Sequence, residues 1–331
     1  PLDHGALSGL LPLGGTILST SSYDPYRHDD GPERIEAAMA RGDVDAVIAI
    51  GGEHTMDITR RLHERLDLPV VGVPKTIDND IVGTDRTFGF DTAVHVAAEA
   101  IDRLHSTAQS HDRVMVVEVM GRNAGWIAVT AAIAGGADGV LVPEVETPVE
   151  EIAATIRGRH DRGKDFSIIV VSEGARLCFA DGRSEKIVAN EETDEYGYER
   201  LGGIGAALAA ELERETGYET RVVVLGHIQR GGTPTANDRV LATQYGVAAA
   251  EASRGERAER RVRAPQAPHE RPQDLGRRGE QDCQHGDHHD RGDGRLDDAL
   301  PLVHRAPPST CETAAAGRSR RSSPGRTSAR R

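Results

Sequence analysis

Runs of apolar residues alternate with helical patterns between residues 45 and 227. The first run, DAVIAIGG at 45–52, is uninterrupted and ends in two glycines, which is typical of a buried parallel strand. Strands that alternate with helices form βαβ units, so the pattern predicts an α/β fold with a mostly parallel sheet. The other apolar runs lie at 69–74, 113–121, 138–143, 167–174 and 221–227, and the helical stretches lie near 55–66, 91–109 and 124–134.

Charged or polar side chains follow five of the predicted strands directly. In open parallel sheets, ligands bind outside the carboxyl ends of the strands. We therefore expect these side chains to converge on one crevice. They are Glu53, Asp78 with Asp80, Arg122, Glu173, and His227 with Arg230.

The most acidic of these segments is PKTIDNDIVGTDRTFGFD at 74–91. Its carboxylates could bind a divalent cation or act as a general base, and both roles need a rigid scaffold. Thr76 could hydrogen-bond a phosphate oxygen and Lys75 could neutralise one. The alternative is a structural loop whose Thr and Asp side chains cap the next helix.

Two glycine-containing turns add groups suited to phosphate. In GGEH at 51–54, the glycines allow backbone to approach a phosphate, and Glu53 beside it would require a bridging Mg²⁺. GHIQRGGTP at 226–234 places imidazole and guanidinium beside two glycines, and arginine matches phosphate bidentately. GGIGAALAAEL at 202–212 follows a polar loop instead of a strand, so it indicates a helix start and not a dinucleotide site.

The composition narrows the class of protein. A net charge of −13 over 331 residues argues against nucleic-acid partners, because phosphates would be repelled. No apolar run reaches the ~18 residues of a membrane helix, so no membrane partner is expected. Three widely spaced cysteines indicate neither a disulfide framework nor a zinc site, and they fit a reducing cytoplasm.

Residues 254–331 differ in composition from the rest of the chain. They contain no Phe, Tyr, Met, Ile, Asn or Lys, which are residues with AT-rich codons. Folding does not select against that set, so we interpret the segment as a shift of reading frame near residues 252–256. The alternative is a natural Arg-, Pro- and Gly-rich tail, and disorder is expected in either case.

Taken together, GGEHT, PKTIDNDIVGTDRTFGFDTAV, VEVMGRNAGWIA, VSEGA and TRVVVLGHIQRGGTP resemble the 6-phosphofructokinases, in the family's order and across about residues 10–253. The resemblance implies two doubly wound, mostly parallel three-layer sheet domains with the active site in the cleft between them. It implies a phosphate-donor domain at 1–90 plus about 228–253 and a sugar-phosphate domain at 91–227. The family's first strand and glycine-rich phosphate loop are absent from this sequence, so the donor domain is expected to be incomplete.

The resemblance implies phosphoryl transfer from ATP or pyrophosphate to the 1-hydroxyl of fructose 6-phosphate in glycolysis. Asp78 corresponds to the base, and Thr76 and Asp80 line the same pocket. Arg122, with Met120 and Gly121, corresponds to contacts near the transferring phosphoryl group. The remaining sugar-phosphate contacts are Glu173, His227 and Arg230, with Arg113 and Arg221 reaching the phosphate of a neighbouring subunit in a homodimer or homotetramer.

On the donor side, the resemblance implies that Glu53 handles Mg²⁺, where the family usually has Asp. The donor residues would be Gly51, Gly52, His54, Thr55 and Lys75. His54 is neither the Gly of ATP users nor the Asp of pyrophosphate users, so the donor stays open. We favour ATP because its users are the commoner class. An arginine expected to contact the nucleotide is Ser22 here, with Arg27 nearby.

Two other functions remain possible at the level of sequence. One is a different sugar kinase or an NAD kinase that shares the Gly-Gly-acid turn. The other is a truncated, inactive or regulatory product that binds sugar phosphate without turnover.

Overall fold

The computed structural model describes the backbone of residues 2–193 and 199–254 and, apart from residues 4 and 188–200, their side chains. The chain divides into two units, 1–277 and 278–331, and every described residue belongs to the first. The predictions for the tail at 254–331 therefore lie outside the described residues, except for Arg254. The division at residues 90 and 228 stays a prediction.

Helices and strands alternate through most of the described residues. The helices are α1 (His4–Leu7), α2 (Gly31–Gly42), α3 (Glu53–Leu66), α4 (Phe90–Ser110), α5 (Trp126–Ala134), α6 (Val149–His160), α7 (Ile204–Thr216) and α8 (Ala236–Arg254), with short 3-10 helices at Pro25–Arg27 and Gly226–Arg230. The strands are β1 (Val47–Gly51), β2 (Val70–Thr76), β3 (Phe88–Gly89), β4 (Val114–Val119), β5 (Gly139–Leu141), β6 (Ser167–Ser172), β7 (Arg176–Cys178), β8 (Ser184–Lys186), β9 (Val188–Thr193), β10 (Glu199–Leu201) and β11 (Thr220–Val224).

The larger parallel sheet has the strand order β11-β4-β6-β5. Every residue of β4 and β6 is buried, which fits their uninterrupted apolar sequences. Val114 and Val116 point into a core shared with α6 and α7, whereas Met115 and Val117 point into a core shared with α4 and α5. Helices thus cover both faces of the sheet, as the predicted three-layer α/β fold requires.

The smaller parallel sheet has the order β1-β2-β3. Val70 packs with Leu62 of α3 on one face, and Val71 and Val73 pack with Ala249 of α8 on the other. The prediction of a buried first strand is wrong in one respect. Ile48 and Ile50 are 40% and 54% exposed, because β1 lies at the edge of this sheet. Two short antiparallel pairs, β7-β8 and β9-β10, complete the described sheets.

The chain passes between the two sheets twice, and side-chain hydrogen bonds link the two connecting segments. One connection runs from β3 of the smaller sheet into α4, and the other runs from β11 of the larger sheet into α8. Buried Asp238 of α8 accepts hydrogen bonds from the backbone N–H of Thr92, at 2.8 Å, and from its hydroxyl. Thr235 donates its hydroxyl to Asp91 at 2.5 Å. These bonds fix how the two sheets face each other.

Two further observations bear on the class of protein. None of the helices in the described ranges is long and apolar enough to cross a membrane. Cys178 is buried and carries a free thiol.

Candidate functional site

The acidic loop after β2 is held in shape by its own polar side chains. The Oδ1 atom of Asn79 accepts a hydrogen bond from the backbone N–H of Thr87 at 2.8 Å, and the Thr87 hydroxyl donates to the carbonyl of Thr76 at 2.8 Å. The Thr76 hydroxyl accepts from the N–H of Asp78 at 3.1 Å. The alternative of a helix-capping loop is not supported, because α4 is capped by Gly89, without a side-chain hydrogen bond. Asn79 and Thr87 were missed at the level of sequence, although Asn in a tight acidic loop is a recognisable signal.

Asp78 lies where the carboxyl ends of the two sheets meet. Burial raises its carboxyl pKa from 3.8 to about 6, and the negative charges of Asp80 and Glu173 contribute to the rise. The positive charge of Arg230 and a hydrogen bond from Thr76 oppose it. Asp78 follows β2 of the smaller sheet, whereas Glu173 and Arg230 follow β6 and β11 of the larger sheet. The structure therefore brings these predicted site residues together across the two sheets.

Gly121 connects two loops of the larger sheet. Its backbone is left-handed, with φ 143°, and an added Cβ would lie 2.5 Å from Ser172 Oγ and 2.6 Å from the Ala124 carbonyl, so only glycine fits. Its N–H donates to Glu173 Oε1 at 3.5 Å. Burial raises the pKa of the Glu173 carboxyl. The hydrogen bond from this N–H and the positive charges of Arg122 and Arg230 oppose that rise.

A cavity of about 510 Å³ opens beside Glu173 and His227. It extends to the start of α7, where the carboxylate of buried Glu118 accepts a hydrogen bond from Gly205 N–H at 2.8 Å. The segment at 202–212 is therefore a helix start, as predicted. The cavity has the volume typical of small-ligand pockets. Its lining includes Glu118, Val119, Glu173, Gly203, Val224 and His227.

The turn after β1 brings further predicted residues to the same region. Gly51 must lack a side chain, because a Cβ there would lie 2.2 Å from the Thr55 hydroxyl of α3. Gly52 caps α3, and Glu53 stands in its first turn. Burial raises the pKa of the Asp80 carboxyl, and the nearby charge of Glu53 contributes to the rise. Glu53 and Asp80 therefore lie close enough for their negative charges to repel each other.

Two other predicted residues of the donor side are His54 and Lys75. His54 Nε2 lies 3.8 Å from the carboxylate of Asp24, which also lies 3.8 Å from Arg27 Nε. Lys75 is exposed at the end of β2. Asp24, which is 8% exposed, was not predicted as part of the site.

The described residues contain no group of three or more His, Cys, Asp and Glu side chains that could hold a metal ion by themselves. Magnesium is usually bound by one or two carboxylates together with substrate phosphates and water. The mutually repelling pair of Glu53 and Asp80 suits that arrangement, because a divalent cation would relieve the repulsion. The residues present therefore fit Mg²⁺ held jointly with phosphate.

Three predicted residues lie away from this space. Arg113 directly precedes β4 and lies six residues, or roughly 20 Å, from the carboxyl end of that strand, whereas Arg221 is the second residue of β11 and lies three residues, or roughly 10 Å, from its carboxyl end. Both guanidinium groups contact Glu219, at 2.9 Å in the case of Arg113. The side chain of Met120 is 7% exposed and packs in the core next to α4 and α5.

Comparison with known proteins agrees with the resemblance seen in the motifs. The phosphofructokinase family profile matches residues 1–253. A pyrophosphate–fructose 6-phosphate 1-phosphotransferase of Streptomyces coelicolor is 51% identical over 247 residues, which cover 75% of this chain and 71% of the relative. An ATP-dependent 6-phosphofructokinase of Chloroflexus aggregans is 52% identical over 260 residues, covering 76% of this chain and 70% of the relative.

Solved structures resemble the same portion of the chain. A phosphofructokinase from Saccharomyces cerevisiae matches with a TM-score of 0.63 and 30% identity over 76% of this chain, which spans 34% of the yeast chain. A pyrophosphate-dependent phosphofructokinase from Marinobacter aquaeolei matches with a TM-score of 0.61 and 25% identity, over 76% of this chain and 61% of the other. The chain therefore belongs to the phosphofructokinase family.

Proposed function

We propose that the chain transfers a phosphoryl group from ATP or pyrophosphate to the 1-hydroxyl of fructose 6-phosphate, giving fructose 1,6-bisphosphate in glycolysis. The observation that carries the proposal is Asp78. Its half-buried carboxyl, with a pKa of about 6, lies between two sheets and within electrostatic range of Glu173 and Arg230. A general base works best when its pKa is near the working pH.

The acceptor is held by the larger sheet and activated by the smaller one. His227 and Arg230 bind the 6-phosphate, and Glu173 accepts a hydrogen bond from a sugar hydroxyl. Asp78 takes the proton of the 1-hydroxyl while that oxygen attacks the terminal phosphorus of the donor. The bond from this phosphorus to its bridging oxygen breaks, and ADP or phosphate leaves. Arg122 stabilises the charge on the transferring group.

The donor lies over the turn after β1, where the backbone of Gly51 and Gly52 and the N-terminus of α3 favour phosphate. Thr55, His54 and Lys75 contribute further contacts there, and Thr76 and Asp80 line the space between donor and acceptor. Mg²⁺ would be held by Glu53, with Asp80 nearby, and would neutralise charge on the donor phosphates. The relatives are named for both donors, so they give no support to the preference for ATP, and both donors are candidates.

The position of Arg113 and Arg221 supports a homodimer or homotetramer. Both guanidinium groups contact Glu219, which directly precedes β11 on the side away from Asp78, so they would serve a second copy and not their own cleft. We infer a cytoplasmic location, which a glycolytic substrate and the free thiol of Cys178 both support. Light scattering after gel filtration measures the oligomeric state directly.

The direct test offers fructose 6-phosphate and Mg²⁺ with ATP and with pyrophosphate in parallel, and measures fructose 1,6-bisphosphate. We expect product with at least one donor and loss of product in Asp78→Asn. The reading as an inactive sugar-phosphate binder is not favoured, because the relatives are named as enzymes. That reading would prevail if fructose 6-phosphate changed the fluorescence of Trp126, the sole tryptophan, without any turnover.

A further inference from the structure

Gln229 is the one residue of the GHIQR turn whose side chain is buried. His227, Ile228 and Arg230 around it are exposed, whereas Gln229 is 1% exposed. Its Oε1 atom accepts a hydrogen bond from the backbone N–H of Met120 at 2.8 Å, across 109 residues of sequence. A buried amide that bonds another segment's backbone fixes the distance between the two segments.

The partner of Gln229 lies directly before Gly121 and Arg122. The other side of that loop is held by Ser172, which is fully buried and donates its hydroxyl to the Gly121 carbonyl at 2.6 Å. The N–H of Gly174 donates to the same carbonyl at 3.0 Å. Gln229 and Ser172 thus hold the segment Met120–Gly121 from opposite ends, after three neighbouring strands.

We propose that Gln229 is a positioning residue, which, with Ser172, sets the spacing between the loop of Arg122 and the turn of His227 and Arg230. This inference rests on the proposed function for its catalytic consequences only. Gln229 need not touch the substrate, because its hydrogen bond to Met120 sets the position of the groups that do. A displacement of about 1 Å at such groups can cost on the order of 100-fold in rate.

The first measurement does not depend on activity. Gln229→Met keeps the length of the side chain and removes the acceptor for the Met120 N–H. We expect hydrogen exchange of the Met120 amide to become about tenfold faster, since one buried hydrogen bond is lost, while the amides of Val116 and Val117 keep their rates. Unchanged exchange at Met120 would overturn the inference, whatever the kinetics show.

The second measurement separates positioning from general destabilisation. Gln229→Met should lower kcat/KM for fructose 6-phosphate about 10- to 100-fold and leave KM for the phosphate donor within about twofold, because the donor turn belongs to the other sheet. Gln244→Met, the same change at an exposed site of α8, should match the wild type. If both KM values rise together, Gln229 is merely structural and the proposal fails.

Ser172→Ala covers the case in which Gln229→Met does not fold. It removes the hydroxyl that donates to the Gly121 carbonyl. Like Gln229→Met, it should lower kcat/KM for fructose 6-phosphate and leave KM for the phosphate donor little changed. In the double variant the losses should be less than additive, because both residues act on one segment. Strict additivity, or an equal effect on both substrates, would contradict the inference. Absence of turnover in the wild type would instead defeat the proposed function, and the exchange rates would still decide the role of Gln229.

Discussion

Asp78→Asn should make the protein more stable while it removes turnover. Asparagine has the shape of aspartate and can still accept the hydrogen bond from Thr76, but it carries no charge. The wild-type carboxylate is held partly buried beside Asp80 and Glu173. A native state that keeps a charge in such a place loses stability.

The size of the gain follows from the shift in pKa. Burial raises the pKa of Asp78 from 3.8 to about 6, and each unit corresponds to about 1.4 kcal/mol, so the penalty relieved is at most about 3 kcal/mol. The penalty depends on pH in a defined direction. Below pH 3.8 the carboxyl is protonated both folded and unfolded, so the two proteins should be equally stable. Between pH 3.8 and about 6 the wild type loses stability as the pH rises, and above about 6 the full difference remains.

Urea unfolding at pH 4 and pH 8 measures this difference, with turnover assayed on the same preparations. We expect Asp78→Asn to lower kcat by about 10²–10⁴ and to increase the free energy of unfolding much more at pH 8 than at pH 4. Asp181→Asn, at an exposed acid without a buried environment, serves as the control and should show no such gain. A destabilised Asp78→Asn at pH 8 would refute the view that Asp78 carries an uncompensated buried charge.

Three further predictions follow from the same contacts. Arg230→Gln should raise KM for fructose 6-phosphate and move the acidic limb of the pH–rate profile to higher pH, because the charge of Arg230 lowers the pKa of Asp78; a limb that stays in place would contradict the contact. Glu53→Gln should raise the Mg²⁺ concentration for half-maximal rate at least about tenfold, with KM for the sugar phosphate little changed in the same titrations. Thr92→Val should lower the free energy of unfolding in urea by about 1–3 kcal/mol, because buried Asp238 loses the hydrogen bond from the Thr92 hydroxyl. An unchanged free energy of unfolding would show that the hydrogen bonds between α4 and α8 contribute little to stability.

The apolar runs were sufficient to predict the parallel sheets and most of their helices. Strands such as β4 and β6, in which every residue is buried, leave a continuous apolar signal, and their bounds differ from prediction by only a residue or two. The exposure of Ile48 and Ile50 could not be predicted, because a local pattern does not say which strand lies at the edge of a sheet. The short pairs β7-β8 and β9-β10 were also missed, since their sequences are polar and brief.

The residues of the candidate site likewise fall into those that the sequence predicted and those that it did not. Residues whose chemistry is visible in the sequence, such as Asp78, Glu173 and Arg230, were predicted, and the rule for the carboxyl ends of strands placed them correctly near one another. Residues that act by holding backbone, such as Asn79 and Gln229, were not. Their partners lie 8 and 109 residues away in sequence, and only the folded chain shows the hydrogen bonds between them.

The pH dependence of kcat/KM for fructose 6-phosphate tests the role of Asp78 most directly, because it reports the ionisation of the free enzyme. With the base at a pKa of about 6, activity should be half-maximal near pH 6 and fall about tenfold per pH unit below it. A limb near pH 4, or a limb near pH 6 that persists in the residual activity of Asp78→Asn, would show that another group accepts the proton.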